Sequence, residues 1–310
     1  MTLQYPRLGL KRGGVVAIRT VMMVGLIVLS AAAGEAATAQ HALASAVPTD
    51  STLRKAGKQP VKAFSKAQMR NNRVAAARYE KRFAIKELFR KRGIPYPAEQ
   101  VFIRIFKREH QLELWARPMG ADTFALLKSY DICALSDKLG PKRQQGDMQT
   151  PEGFYYIDNF NPRSGFHLSL HIDYPNASDR VLGDGKALGG DIFIHGGCKT
   201  EGCLAVTDEN IKEIYWVAVE ARDNGQERIP VHIFPTRLTD NNMAQLINVF
   251  KNEPHFVRFW GNLKPGYDYF AQNKKLPEVT VSPRGRYQYN KSRPIGRPLA
   301  AIKTDSAKGN

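Results

Sequence analysis

Val101-Phe102-Ile103-Arg104-Ile105-Phe106 and, after a short polar break, Gln111-Leu112-Glu113-Leu114-Trp115 carry the alternation of half-buried β-strands. Further strands are expected at 124–132, 153–157, 167–172, 191–195 and 231–234, where β-branched, aliphatic and aromatic residues run between turn formers. No strong dinucleotide-loop or P-loop signal separates them. Helix signals lie at the edges. Thr207 reads as an N-cap with Glu209 and Asn210 in the first turn and Ile211, Ile214, Tyr215 and Val219 beyond, and Thr239-Asp240 opens a second helix running to Lys251. The pattern predicts a mainly β fold, a sandwich with peripheral α-helices.

Outward from this core the composition changes. Within residues 66–98, Met69, Val74, Ala77, Phe83, Ile85, Leu88 and Phe89 recur at helical intervals among Lys and Arg until Gly93 and Pro95, so a basic amphipathic helix and its linker are expected. Packing on the β domain is its expected role, and a membrane surface is the other one open to it. Residues 40–65 mix Ala, Ser, Thr, Pro and Lys without periodicity, as a flexible spacer does. Residues 276–310 are basic and Pro-rich and read as a disordered tail.

Arg7, Lys11, Arg12 and Arg19 precede an uncharged run from Thr20 to Gly34, and Ala37-Thr38-Ala39 forms a small-x-small cleavage signature. Residues 1–39 therefore read as a secretory signal, because the run is shorter than the ~20 apolar residues that span a bilayer. An uncleaved anchor in the inner membrane is the alternative. Of 310 residues, 46 are Lys or Arg against 29 Asp or Glu, a net charge of +17. That charge seeks a polyanion. Export removes nucleic acid from the candidates and leaves an anionic wall polymer or membrane surface as the expected neighbour.

The chemistry is concentrated in Asp191-Ile192-Phe193-Ile194-His195-Gly196-Gly197-Cys198-Lys199-Thr200-Glu201-Gly202-Cys203. A strand delivers a histidine into a glycine-rich loop that ends at a cysteine, so a nucleophile is expected beside its base. Glycines at 196, 197 and 202 allow a tight path with positive φ. Backbone N–H groups around Gly202 and Cys203 are candidates to face a developing oxyanion. Three other readings fit the spacing: a zinc site using His195, Cys198 and Cys203, a disulfide between Cys198 and Cys203, and a buried inert thiol beside a core histidine. No fourth zinc ligand is supplied locally, and no cofactor is expected.

These residues resemble the YkuD-type L,D-transpeptidase catalytic domain, and specifically its YafK-like branch of periplasmic murein enzymes. The resemblance extends over roughly residues 99–275, through Phe102-Ile103-Arg104-Ile105-Phe106-Lys107, Leu139-Gly140-Pro141-Lys142, Gly146-Asp147, Thr150-Pro151-Glu152-Gly153-Phe154-Tyr155, Phe259-Trp260 and Leu263-Lys264-Pro265-Gly266-Tyr267-Asp268-Tyr269-Phe270. Many such domains carry a second histidine before the glycine and cysteine; here Thr200-Glu201-Gly202-Cys203 stands instead, leaving His195 as the motif base.

The resemblance implies a periplasmic enzyme of wall biogenesis. Cys203 attacks a peptide bond of a murein stem peptide between the L-centre of a diamino acid and the following D-residue, and a thioester holds the acyl group. His195, oriented by the Gly196 carbonyl, moves the protons. Lys142 and Asp147 are candidate substrate contacts, or a loop salt bridge. An amine acceptor gives transpeptidation, while water gives a carboxypeptidase or an amidase releasing a wall-linked lipoprotein. A non-catalytic wall-binding β domain is the reading from another class. A free nucleophile in an oxidising compartment leaves Cys133 and Cys198 as the expected disulfide pair.

Overall fold

The computed structural model describes residues 63–289 except Asp137, Asp184 and Lys186. The expected signal and most of the spacer lie outside the described residues, as does the chain from 290 onward. Eight strands form one curled sheet: β1 Gln100–Phe106, β2 Gln111–Arg117, β3 Ala125–Asp131, β4 Gly153–Asn161, β5 Ser169–Ile172, β6 Ile192–His195, β7 Leu204–Ala205 and β8 Ile229–Phe234. Their order is β3-β2-β1-β8-β4-β5-β6-β7. Pairing is antiparallel except at β1/β8 and β6/β7. The mainly β fold with peripheral helices is therefore present, with its strands joined in a single sheet.

Helices cover both faces of that sheet, which changes the expected character of β1. On one face Val101, Ile103 and Ile105 join Val231 and Ile233 of β8 and Leu170, Ile172, Ile192 and Ile194 of β5 and β6. They pack with α1 (Ala63–Gln68), α2 (Asn72–Lys91) and α4 (Asp208–Asp223), through Val74, Ile85, Phe89, Ile211, Ile214 and Tyr215, while the short α3 (Ala177–Leu182) lies between β5 and β6 in the chain. On the other face Phe106, Phe154 and Phe234 meet Trp260, Leu263 and Tyr267 of α6 (Pro254–Asn273), and Phe102 meets Phe270. All residues of β1 after Gln100 are consequently buried, as in sheets covered twice, where half-burial had been expected.

The expected helix from Lys66 is two helices. α1 stops at Gln68, and Asn71, in extended conformation, caps α2 by accepting a hydrogen bond from the Arg73 backbone N–H at 3.0 Å. The apolar stripe of α2 packs on α4, and Lys81–Glu209 and Lys212–Glu80 contacts of 2.6 Å lace their rims. Thr207 and Thr239 cap α4 and α5 (Asp240–Val249) as expected. The disordered tail requires correction at its start. Val279–Val281 and Tyr287–Tyr289 pair as an antiparallel hairpin, β9 and β10, because Tyr287 is buried against Phe154 and Phe259. Composition from Lys274 onward conceals those few aromatic anchors.

The second apolar cluster stops at β4 and contains no residue of β5, β6 or β7. His171 and Phe193, which alternate away from the first core, are half-buried, and so is Cys203 just before β7. This partly open end of the sheet carries the candidate site.

Candidate active site

Pairing of β6 with β7 brings the two motif residues together. Ile194 is opposite Leu204 and His195 opposite Ala205, so Cys203 follows one step back, beside Phe193. Ile194 and Leu204 point into the core. Strand alternation then puts His195 and Cys203 on the same, opposite face as diagonal neighbours. The connecting loop demands its glycines for different reasons. Gly197 and Gly202 have φ of +71° and +112°, and a Cβ on Gly202 would sit 3.1 Å from the Gln149 carbonyl oxygen. Gly196 is held by crowding: a Cβ there would lie 2.5 Å from an Asp208 carboxylate oxygen and 2.9 Å from the Phe166 carbonyl oxygen.

His195 is 2% exposed, and its Nδ1 donates to the Gly196 carbonyl at 2.7 Å. That bond fixes the tautomer and leaves Nε2 with a lone pair, the form a general base requires. Burial lowers the imidazole below its ordinary value, against a smaller raising effect of the Gly196 bond. Burial also pushes the Cys203 thiol up, with the Lys142 charge among the influences pulling it down. The sulfur lies 3.4 Å from the Asp191 carbonyl oxygen. Both directions favour the neutral forms, imidazole at His195 and thiol at Cys203.

Cys133 and Cys198 form a disulfide with Cα atoms 5.4 Å apart, and Cys203 is free. With Cys198 bonded to Cys133, neither the Cys198–Cys203 bridge nor a zinc site using Cys198 is available. Lys142 and Asp147 are partners of each other at 2.5 Å. Lys142 also donates to the Gln144 carbonyl, and Asp147 accepts from the backbone N–H groups of Arg143, Gln144 and Gln149. Burial raises the Asp147 carboxyl, but these bonds together bring it below its usual range. The pair thus shapes the 140–149 loop, whose Met148 and Gln149 backbone packs on Gly202.

Sequence reasoning missed Phe166 and Arg73, which only tertiary structure joins to the motif. The Phe166 ring lies over the His195 ring, with centroids 4.6 Å apart and planes 31° apart. Its loop is tied to α2: Arg73 donates to the carbonyls of Ser164 and His167 at 2.6 and 2.9 Å. If His195 must be neutral to act, kcat/KM rises with pH through its folded pKa, which burial keeps below the ordinary value of about 6.5. Phe166→Ala hydrates the ring, so the acid limb should move to higher pH, with kcat/KM reduced about threefold to tenfold. Arg73→Ala should move it the same way by less. A pH–rate profile checks both, and an unmoved limb in Phe166→Ala would deny the ring this role.

Residues 101–233 match the family model of the YkuD L,D-transpeptidase catalytic domain. The chain is 43% identical over 194 residues to YafK of Escherichia coli (strain K12), provisionally named an L,D-transpeptidase, covering 62% of this chain and 74% of that protein. Among solved structures, it is similar to the helical cell shape determining protein Pgp2 of Campylobacter jejuni (17% identity, 65% of this chain and 80% of that one, TM-score 0.36). It is also similar to Bdellovibrio bacteriovorus Bd1075 (20% identity, 55% and 59%, TM-score 0.33). The match to the YkuD domain, with extended identity to YafK, shows that this chain belongs to the YkuD-type L,D-transpeptidase family.

Proposed function

We propose that the protein is an exported murein L,D-transpeptidase that works through a Cys203 thioester. The observation that carries this reading is a free, half-buried thiol on the same sheet face as a histidine whose Nδ1 is occupied and whose Nε2 is left as the base. His195 takes the Cys203 proton as sulfur attacks the carbonyl at the L-centre of a stem-peptide diamino acid. The tetrahedral oxyanion is held by backbone N–H groups at Gly202 and Cys203. His195 then protonates the departing amine, leaving the acyl group on sulfur. In the second step it removes a proton from the acceptor amine, and the thioester breaks with return of the proton to sulfur. Lys142 assists by placing positive charge near the developing thiolate while Asp147 holds its ammonium. The signal-like start supports placement in the periplasm, and the basic charge supports contact with the anionic wall.

Incubation of the purified protein with muropeptides tests this. Intact-mass spectrometry should show protein carrying an acyl stem peptide, and product analysis should show transfer to an amine. Release of the acid alone would identify water as the acceptor and replace transpeptidation with hydrolysis at the same sulfur. His195→Ala should lower turnover at least about 10²-fold. Wild-type turnover in that variant would remove His195 from the mechanism.

A further inference from the structure

A second concave surface adjoins the candidate site across the 140–149 loop, and its walls come largely from elements outside the family match at 101–233. The groove measures about 510 Å³, within the range of small-ligand clefts. The N-terminal turns of α6 supply His255, Phe256, Arg258 and Phe259, the loop between β9 and β10 supplies Arg286, and Arg143 comes from the loop itself.

Its charge is unbalanced. Arg258 and Arg286 are exposed, and neither guanidinium has a hydrogen-bond or ion-pair partner among the described residues. Arg143 is already engaged, 2.6 Å from buried Asp179 and stacked 5.0 Å from the Phe259 ring centroid. The acid on the wall, Asp147, is neutralised by Lys142 and three backbone N–H groups. The α6 N-terminus has no side-chain cap and adds its positive dipole end. Two free guanidiniums beside half-buried Phe256 therefore face a ligand with carboxylates and an aliphatic body.

We propose that this groove binds a carboxylate-bearing peptide, with Arg258 and Arg286 pairing its carboxylates and Phe256 packing on its aliphatic part. Resting on the murein reading, the ligand is a stem peptide reaching past the loop from Cys203. Pro141 and Asp147 line the groove on either side of Lys142 in sequence, so one loop borders both the sulfur and this second surface.

The test is isothermal titration of the full chain carrying Cys203→Ser, which binds without turning over. The probes are the peptide Ala-D-Glu-diaminopimelate-D-Ala and the same peptide with its carboxylates amidated. The acid peptide should bind about tenfold more weakly to Arg258→Glu/Arg286→Glu, and Arg258→Lys/Arg286→Lys should restore most of that affinity. The amidated peptide should bind weakly and alike to all three. Equal affinity of the acid peptide for the parent and the charge-reversed chain would overturn the groove, as would equal affinity of the two peptides for the parent. Loss confined to binding of vesicles containing anionic phospholipid would also overturn it, making the arginines a membrane contact. Unchanged thermal melting shows that the variants are folded. Peptide binding with the expected charge dependence but no acylation of the parent Cys203 enzyme would leave the groove standing and remove the transpeptidase reading.

Discussion

Serine in place of Cys203 is expected to abolish acyl-enzyme formation, with turnover on muropeptides reduced on the order of 10³-fold or more. The size of the effect follows from the resting site. His195 is held below its ordinary pKa, which would make it a modest base in the proposed mechanism, and burial makes the Cys203 thiol harder to ionise. A serine hydroxyl, several units less acidic still, lies beyond the reach of that base. The contrasting variant is Cys133→Ser/Cys198→Ser. It removes a link between residues 65 apart in sequence, which costs about 2–4 kcal/mol of stability, but leaves sulfur and base in place. Its melting temperature should fall while turnover below the melting range largely persists. Should the Cys203→Ser enzyme turn over like wild type while the double variant is inactive although folded, the nucleophile lies elsewhere.

The candidate site was legible because its two principal residues share one short sequence window. A strand ending in histidine and a glycine loop ending in cysteine are local signals, and β6–β7 pairing does the rest. Phe166 and Arg73 carry no such signal: one is an exposed aromatic and the other one basic residue among many on α2, and they acquire meaning only through tertiary contacts, Phe166 with His195 and Arg73 with Ser164 and His167 across 91 and 94 residues. In the fold, alternation located the strands but not their double burial, since Phe102 and Phe106 face a helix that sequence did not announce. That helix, α6, contains Pro265, Gly261 and Gly266, each of which lowers helical propensity. Gly266 has a packing reason to be there. A Cβ on it would lie 2.6 Å from both the Phe154 and Tyr289 rings, the contacts that seat α6 and the β9–β10 hairpin on the sheet. The local preference yields to the tertiary contact.

Removal of the Glu152 carboxylate should be among the most destabilising single changes in the described chain. Lys107 and Glu152 are completely buried and 3.0 Å apart. Lys107 also donates to the carbonyls of Gly140 and Thr150, each at 3.0 Å, so its three N–H groups are satisfied. Glu152 accepts from the Gly140 N–H at 2.8 Å and from the Trp260 indole at 2.7 Å. This one pair therefore fastens the end of β1, the start of β4, the base of the 140–149 loop and α6. Desolvation offsets much of the attraction in such a pair, so its presence contributes little net stability, whereas a lone survivor is costly. Glu152→Leu leaves Lys107 without its counter-charge and should cost about 3–5 kcal/mol. Glu152→Gln offers no relief, because its amide group would have to point a donor at Lys107 and Gly140 or at Trp260. Lys107→Met/Glu152→Leu removes both charges and should recover part of the loss, giving a coupling energy of about 1–3 kcal/mol in a double-mutant cycle. Urea unfolding followed by tryptophan fluorescence measures all three, with Trp260 reporting directly. A cost below about 1 kcal/mol for Glu152→Leu would mean that the buried pair does not anchor the loop that borders Cys203.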